Sequence, residues 1–308
     1  MNRLNCFYHP LFEAPIGDHI MPIRKFQGVA EKIKQFPQVE LLEPDPLSES
    51  DLLRVHTPEY LQAIKTGEPR VLAESQKFPW SPELFNSVCL TNGALFAAAK
   101  AALQERVAAA LVSGFHHAHA DHGEGFCTFN GLIVAAEKLK SESRIENIAI
   151  LDLDLHYGNG TASLTASRPW IHALSIYGND YAQNKPYIDV TIRHHEDGEN
   201  HHSISIPKKA GAVEFFPLLE QGFQWLLSRP KIDLLLFQAG ADPYFEDPYS
   251  PLKLTMADLQ ERDRRVFEFA KKEEIPIAWV LAGGYTREIE KVIQVHVNTF
   301  HAAQSIFY

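Results

Sequence analysis

The chain has 308 residues, 45% of them apolar and 22% charged, which excludes a disordered chain or a fibrous repeat. Its formal charge is −10, from 29 basic and 39 acidic side chains. That balance removes the attraction on which most nucleic-acid binding rests, and no local basic patch restores it.

At this length one large core can form without staples, and no repeat or Gly/Ser-rich linker divides the chain. A single domain over 1–308 is expected. Three cysteines (Cys6, Cys89, Cys127) and no C-x-x-C pair fit a reducing compartment better than a disulfide framework. The opening MNRLNCFYHP lacks the apolar stretch of a secretory signal. The longest apolar stretch, 93–112, is interrupted by Lys100, Glu105 and Arg106, which bars a bilayer crossing. These features predict a cytoplasmic protein with no membrane partner.

In chain order, the pattern predicts a strand over Leu4–Tyr8, then helices over Ile23–Phe36, Pro58–Lys65 and Pro82–Gln104. Ser81 would cap the last of these, with Pro82 in its first turn. A strand over Ala108–Val112 and a helix over Gly131–Lys140 follow. Strands over Asn147–Asp154, Ile171–Ile176 and Ser203–Ile206 come next. The remainder reads as helix Ala212–Leu227, strand Ile232–Ala239, helix Met256–Lys272 capped by Thr255, strand Ile277–Ala282 and helix Glu288–Phe300. Runs such as IAIL, DLLLF and IAWVL are apolar at every position, the mark of parallel strands covered on both faces. Strand alternating with helix then implies a three-layer α/β/α sandwich around a central, mostly parallel sheet.

In such sheets ligands bind beyond the carboxyl ends of the strands. Four strand exits carry polar chemistry: SGFHHAHADHGEGFC after Val112, DLDLHYGNG after Leu151, QAGAD after Phe237 and AGGY after Leu281. If Asp152-Leu153-Asp154-Leu155-His156 continues as a strand, Asp152, Asp154 and His156 share one face. Two carboxylates at a semi-buried edge repel each other unless a cation or donors compensate. Asp154 and His156 suit zinc, and Asp242 from a neighbouring strand can complete a three-ligand site with one position open. Asp152 would then orient an imidazole. A solvated strand end or an Asx turn is the plainer alternative. The segment RHHEDGENHH, with His194, His195, His201 and His202, reads as a charged surface loop, and His119 and His122 as loop residues. Cys127 reads as a packing residue, having no cationic neighbour to lower its pKa. Gly283-Gly284 could end a strand or free Tyr285 to move over a ligand.

The motifs GFHHA (114–118), GEGFC (123–127), DLDLHYGNG (152–160), AGAD (239–242) and GGY (283–285) resemble the zinc-dependent histone deacetylase family, of the arginase–deacetylase fold. Tyr8-His9-Pro10, Arg24-Lys25-Phe26 and 55–60 add weaker matches, so the likeness spans nearly the whole chain. It is most similar to the class IV branch and its bacterial relatives. The resemblance implies one zinc per chain held by Asp154, His156 and Asp242. It makes His117 the general base and His116 its partner, held by Asp152, with Tyr285 donating to the substrate carbonyl. Gly125 and Phe126, with Gly284 and Tyr249, would line the channel. A structural monovalent cation, K+, is implied at Asp152, Asp154, His156 and Ser175. Asn159 stands where many members carry Asp, and there orients the base; as a neutral amide it should leave His117 less proton-loving. The implied substrate is an acyl-lysine protein or peptide, acetylated or carrying a longer acyl chain.

Three rivals remain. An acetylpolyamine amidohydrolase would want an acidic gatekeeper where Tyr249 stands. An arginase-like ureohydrolase needs more carboxylates than DLDLH plus Asp242 supply. An inactive zinc-binding interaction protein would not need both histidines and Tyr285.

Overall fold

The computed structural model describes residues 3–17, 19–179 and 198–308. Its elements run β1 (Leu4–Phe7), α1 (Lys25–Ile33), β2 (Val39–Leu42), α2 (Glu49–Leu52), α3 (Pro58–Thr66), α4 (Arg70–Ala73), α5 (Leu84–Glu105) and β3 (Val107–Ala110). They continue with α6 (Gly131–Ser141), β4 (Ile148–Asp152), α7 (Asn159–Thr165), β5 (Ile171–Tyr177), β6 (His201–Ser205) and α8 (Ala212–Leu227). The chain ends with β7 (Leu234–Gln238), α9 (Met256–Lys272), β8 (Ile277–Val280) and α10 (Ile289–Phe307).

Among the described residues, eight strands form one sheet in the order β2-β1-β3-β8-β7-β4-β5-β6, and each of their pairings is parallel. The central strands β3, β4, β5, β7 and β8 are buried at every residue. Alternate side chains of a strand point to opposite faces, so helices cover both. Helix α5 lies on β1, β3, β7 and β8, α8 lies on β5, and α9 packs with α10, which also meets α1. This is the α/β sandwich that the apolar runs imply. The four strands whose exits carry the candidate chemistry, β3, β8, β7 and β4, are immediate neighbours. Their polar exits therefore converge at one edge.

Local differences have local causes. Helix α5 begins at Leu84, with Ser81–Glu83 forming a turn before it and no side-chain cap. Thr255 does cap α9, in a reciprocal box with Asp258. His201 and His202 belong to strand β6, not to a surface loop: β6 pairs with β5, His201 is buried against the edge of the Tyr157 ring, and His202 stacks on Trp225. His194 and His195 lie outside the described residues. The largest correction is at DLDLH, where β4 stops at Asp152 and the chain turns.

Candidate active site

That turn is made by the acids themselves. Asp152 Oδ1 accepts the Asp154 backbone N–H at 3.1 Å, and Asp154 Oδ1 accepts that of His156 at 2.9 Å. Two consecutive Asx turns replace the strand, because a short carboxylate can bond the backbone two residues on. The Asx turn, the plainer alternative to a ligand role, is the device that aims these candidate ligands. Leu153 and Leu155 remain buried, but by the turn and not by strand alternation.

The three proposed ligands meet. His156 Nδ1 lies 3.2 Å from Asp154 Oδ1 and 3.1 Å from Asp242 Oδ2, and one ligand atom from each residue lies within 4.8 Å of the others. Leu155 N–H donates to Asp242 Oδ1 at 3.0 Å and Gly283 N–H to Asp154 Oδ2 at 2.8 Å, which leaves Asp242 Oδ2 to the cluster, while Asp154 Oδ1 serves both the His156 backbone N–H and the cluster. Glycine is required at 283, since a Cβ there would lie 2.2 Å from Asp242 Oδ2. Burial, then the Asp154 charge, pushes Asp242 up to about 7. For His156, burial opposes protonation, but bonds to Asp154 and Asp242 prevail and lift it to about 10. Asp154 is buried too, yet the neighbouring His116 and His156 hold it well below the usual carboxylate range. Two buried carboxylates and an imidazole competing for protons form a donor set that fits a divalent cation.

The tandem histidines stand beside this cluster, rings 3.9 Å apart. His116 Nδ1 lies 2.6 Å from Asp152 Oδ2. Burial works against its charge, but the Asp152 and Asp154 carboxylates win and raise its pKa. His117 Nδ1 lies 2.7 Å from Asn159 Oδ1, and the Asn159 amide nitrogen lies 2.6 Å from Glu124 Oε2. A carboxylate only accepts, so the amide oxygen must face His117 and receive its Nδ1–H. Proton uptake by His117 is thereby assigned to Nε2. Burial, then the charges of His116 and His156, holds His117 well below the usual histidine range. The two members of the pair are thus driven in opposite directions. Gly125 leaves room for the His117 ring, which a Cβ would approach to 2.3 Å.

Aromatic rings close the site. Tyr285 and Tyr249 lie 6.1 Å from the His156 ring and 5.2 Å from each other, edge to face. Phe126 lies 6.2 Å from Tyr285. Burial and the Asp154 and Asp242 charges raise the Tyr285 hydroxyl well above its ordinary pKa, which keeps it a donor. Gly284 adopts φ +139° immediately before Tyr285. Three non-glycine residues with positive φ, Phe115, Phe126 and Ala282, flank the site and hold strain where three of its segments bend. Cys127 is buried with its thiol raised, as suits packing. Ser175 pairs in register with Asp152, and its buried hydroxyl has no hydrogen-bond partner among the described residues.

Three participants escaped the sequence reading. Asp247 is buried beneath both tyrosines and accepts the backbone N–H of Tyr285 at 2.6 Å and of Tyr249 at 3.0 Å; burial raises it to about 6. Lys25 is fully buried and donates to the Ala282 carbonyl. Burial lowers it to about 8 against the pull of Asp242, Asp154 and Asp247. Arg262, also fully buried, bonds the carbonyls of Leu153 (3.2 Å) and Gly240 (2.8 Å), bracing the turns that carry Asp154 and Asp242. Lys25 stood within the Arg24-Lys25-Phe26 match with no role attached, and for Asp247 the one signal was an acid two residues before Tyr249.

A family model described as the histone deacetylase domain matches residues 19–300. A Picosynechococcus protein of unassigned role is 26% identical over 306 residues, covering 97% of this chain and 98% of that one. Histone deacetylase 2 of Arabidopsis thaliana is 26% identical over 260 residues; the match covers 82% of this chain and 65% of the Arabidopsis protein's length. The crystal structure of the HDA15 HD domain superposes with a TM-score of 0.79 at 19% identity, covering 97% of this chain and 90% of that one.

Proposed function

The chain belongs to the histone deacetylase domain family of hydrolases, and on that premise we propose that it is a zinc-dependent amidohydrolase acting on acyl-lysine side chains of proteins or peptides. The observation that carries this reading is the convergence of Asp154, His156 and Asp242 on one point beside a base, His117, whose orientation is fixed by Asn159. Zinc held by those three residues would supply a Lewis acid for the acyl carbonyl and acidify a water toward a pKa of about 7.

The protein's own groups do the rest. Nε2 of His117 takes the proton of the attacking water, a role that requires the neutral imidazole its environment favours. Tyr285 donates its hydroxyl proton's hydrogen bond to the oxygen on which negative charge develops. His116, whose affinity for a proton the Asp152 and Asp154 carboxylates raise, adds positive charge nearby when protonated and so limits the proton affinity of His117. The C–N bond then breaks, the amine departs with the proton that His117 returns, and the acyl group leaves as a carboxylate. A monovalent cation is proposed at Asp152, Asp154, His156 and Ser175, where the orphaned Ser175 hydroxyl wants a partner.

Tyr249 supports acyl-lysine over acetylpolyamine. It contributes an aromatic wall beside Tyr285, and the nearby acid, Asp247, spends both oxygens on backbone N–H groups. A second ammonium of a polyamine would meet no uncommitted carboxylate from this segment, and cation–π contact offsets only ~1–2 kcal/mol. Longer acyl chains are included in the proposal. Competing an acetyl-lysine peptide against monoacetylspermidine on metal-replete enzyme tests it: higher kcat/KM is expected for the peptide, and a preference for the polyamine overturns the substrate assignment.

A further inference from the structure

The loop between His117 and Phe126 carries two more imidazoles than this reaction uses. His119 and His122 stack with centroids 4.5 Å apart and planes 11° from parallel, and a backbone bond from His119 N to His122 O closes the turn between them. Glu124 lies alongside, its Oε2 3.4 Å from His119 Nε2. One ring nitrogen from each histidine and one Glu124 oxygen all lie within 4.8 Å of one another.

The hydrogen bonds decide where the protons are. The Ser163 hydroxyl lies 2.8 Å from His119 Nδ1 and 2.8 Å from the Gly160 carbonyl. A carbonyl only accepts, so the single serine proton goes to Gly160 and His119 Nδ1 must donate to Ser163. His119 Nε2 then carries a lone pair, in agreement with the Asn159 amide N–H that lies 3.2 Å from it. His122 Nδ1 lies 2.7 Å from Asp121 Oδ1, an acceptor only, so this ring too is protonated on Nδ1 and keeps a lone pair on Nε2. His119 is oriented through Nδ1 by an oxygen, as proteins hold metal-ligating histidines; near-parallel planes cannot aim both lone pairs at one ion, so the half-exposed His122 ring must turn out of the stack to share it. Two imidazoles and a carboxylate make a borderline donor set suited to zinc and similar divalent ions.

We propose that His119, His122 and Glu124 form a second divalent-metal site, at the rim of the catalytic site and apart from Asp154, His156 and Asp242. It is coupled to the base through one side chain. Asn159 gives its amide hydrogens to Glu124 and His119 and its oxygen to His117. An ion that takes the first two acceptors leaves Asn159 without them and loosens its hold on His117. Occupancy therefore lowers kcat and leaves KM nearly unchanged. This consequence rests on the amidohydrolase reading; the site itself does not.

The test starts from enzyme carrying one zinc per chain, titrated with Co2+ and read by elemental analysis and calorimetry. A second ion is expected in the wild type. His122→Gln, at a half-exposed position that does not enter the fold, and Glu124→Gln should each weaken it at least about tenfold while keeping the first ion. Failure to bind a second ion, or a second ion held equally by both variants, overturns the site. In the kinetic arm, Co2+ should lower wild-type kcat on an acetyl-lysine peptide and spare His122→Gln; a filled rim site without effect on kcat overturns the coupling. Protein that binds both ions yet hydrolyses no acyl-lysine peptide sinks the amidohydrolase reading and leaves the site standing.

Discussion

The Asp154–His156–Asp242 cluster and the His119–His122–Glu124 cluster are built from the same residue types, yet they place opposite demands on the fold. In the first, side-chain exposures are 3%, 9% and 0%; in the second they are 21%, 44% and 30%. Water cannot screen the buried carboxylates, so they must share protons with His156 or hold a cation. At the rim, water already serves that purpose. The buried donors are aimed by backbone, through two Asx turns and the N–H groups of Leu155 and Gly283. The rim ligands are aimed by side chains, Ser163, Asp121 and Asn159. Burial leaves the first cluster only those two ways to settle its charge, and leaves the second free of the demand.

The severest way to break that contrast is His156→Ala. Losing one of three ligands should empty the buried centre and remove transition-state stabilisation of several kcal/mol, a drop in turnover of at least about a thousandfold. Metal content and turnover measured together check it; a variant that keeps both would show that His156 does not hold the metal. Tyr285→Phe comes next. It removes one hydroxyl from the wall and no ligand, so metal content should hold while kcat falls roughly a hundred- to a thousandfold. Near wild-type turnover on an acetyl-lysine peptide would remove Tyr285 from the proposed chemistry.

The buried cluster was readable in sequence because its residues follow continuous apolar runs, and such runs announce parallel strands and their exits. Strand β7 and the QAGAD exit illustrate this. The turn at Asp154 was not readable, since alternation in DLDLH suits a strand equally well and only the Asx bonds end it. Edge strand β2, VELL, is half-buried throughout and has no apolar run to mark it. Helix α7, NGTASLT, has no apolar periodicity; it forms where its Thr161 N–H can bond the His116 carbonyl. Lys25 and Arg262 reach the site from 257 and 22 residues away along the chain, counted to Ala282 and Gly240. Such contacts follow from packing that no local pattern encodes. His119 and His122 were visible as residues, but as loop histidines they gave no sign of stacking.

Asn159 joins the two clusters, so changing its charge sharpens the comparison. Asn159→Asp puts a carboxylate beside His117 Nδ1, which favours the imidazolium. In the wild type the His117 pKa is depressed, so the neutral base persists to low pH and the acidic limb of kcat/KM lies below the usual histidine value. In the variant that limb should move up by about one unit. Glu124, 2.6 Å from the Asn159 amide, repels the new charge and keeps the shift small. A limb that stays in place would mean that position 159 does not orient the base.

The smallest effect concerns what anchors the rim. His56 is buried, with Nδ1 2.9 Å from the His119 carbonyl and Nε2 accepting the Asn130 backbone N–H at 3.0 Å. Both nitrogens are committed only if the ring is neutral, and burial lowers its pKa to about 4 from 6.5. The folded pKa lies below the unfolded one, so between those values the unfolded chain binds the extra proton. The contribution is therefore complete above about pH 6.5 and is lost as pH falls toward 4. Between pH 7 and 5.5 it amounts to about 1 kcal/mol. Urea midpoints at those two pH values should fall further for the wild type than for His56→Gln, whose amide can donate to His119 and accept from Asn130 without titrating. Equal shifts would show that His56 does not bind the rim loop as a neutral ring. The larger wild-type shift would mean that acid acts on the rim through its backbone anchor, a sensitivity the Asx-aimed buried cluster does not share by this route.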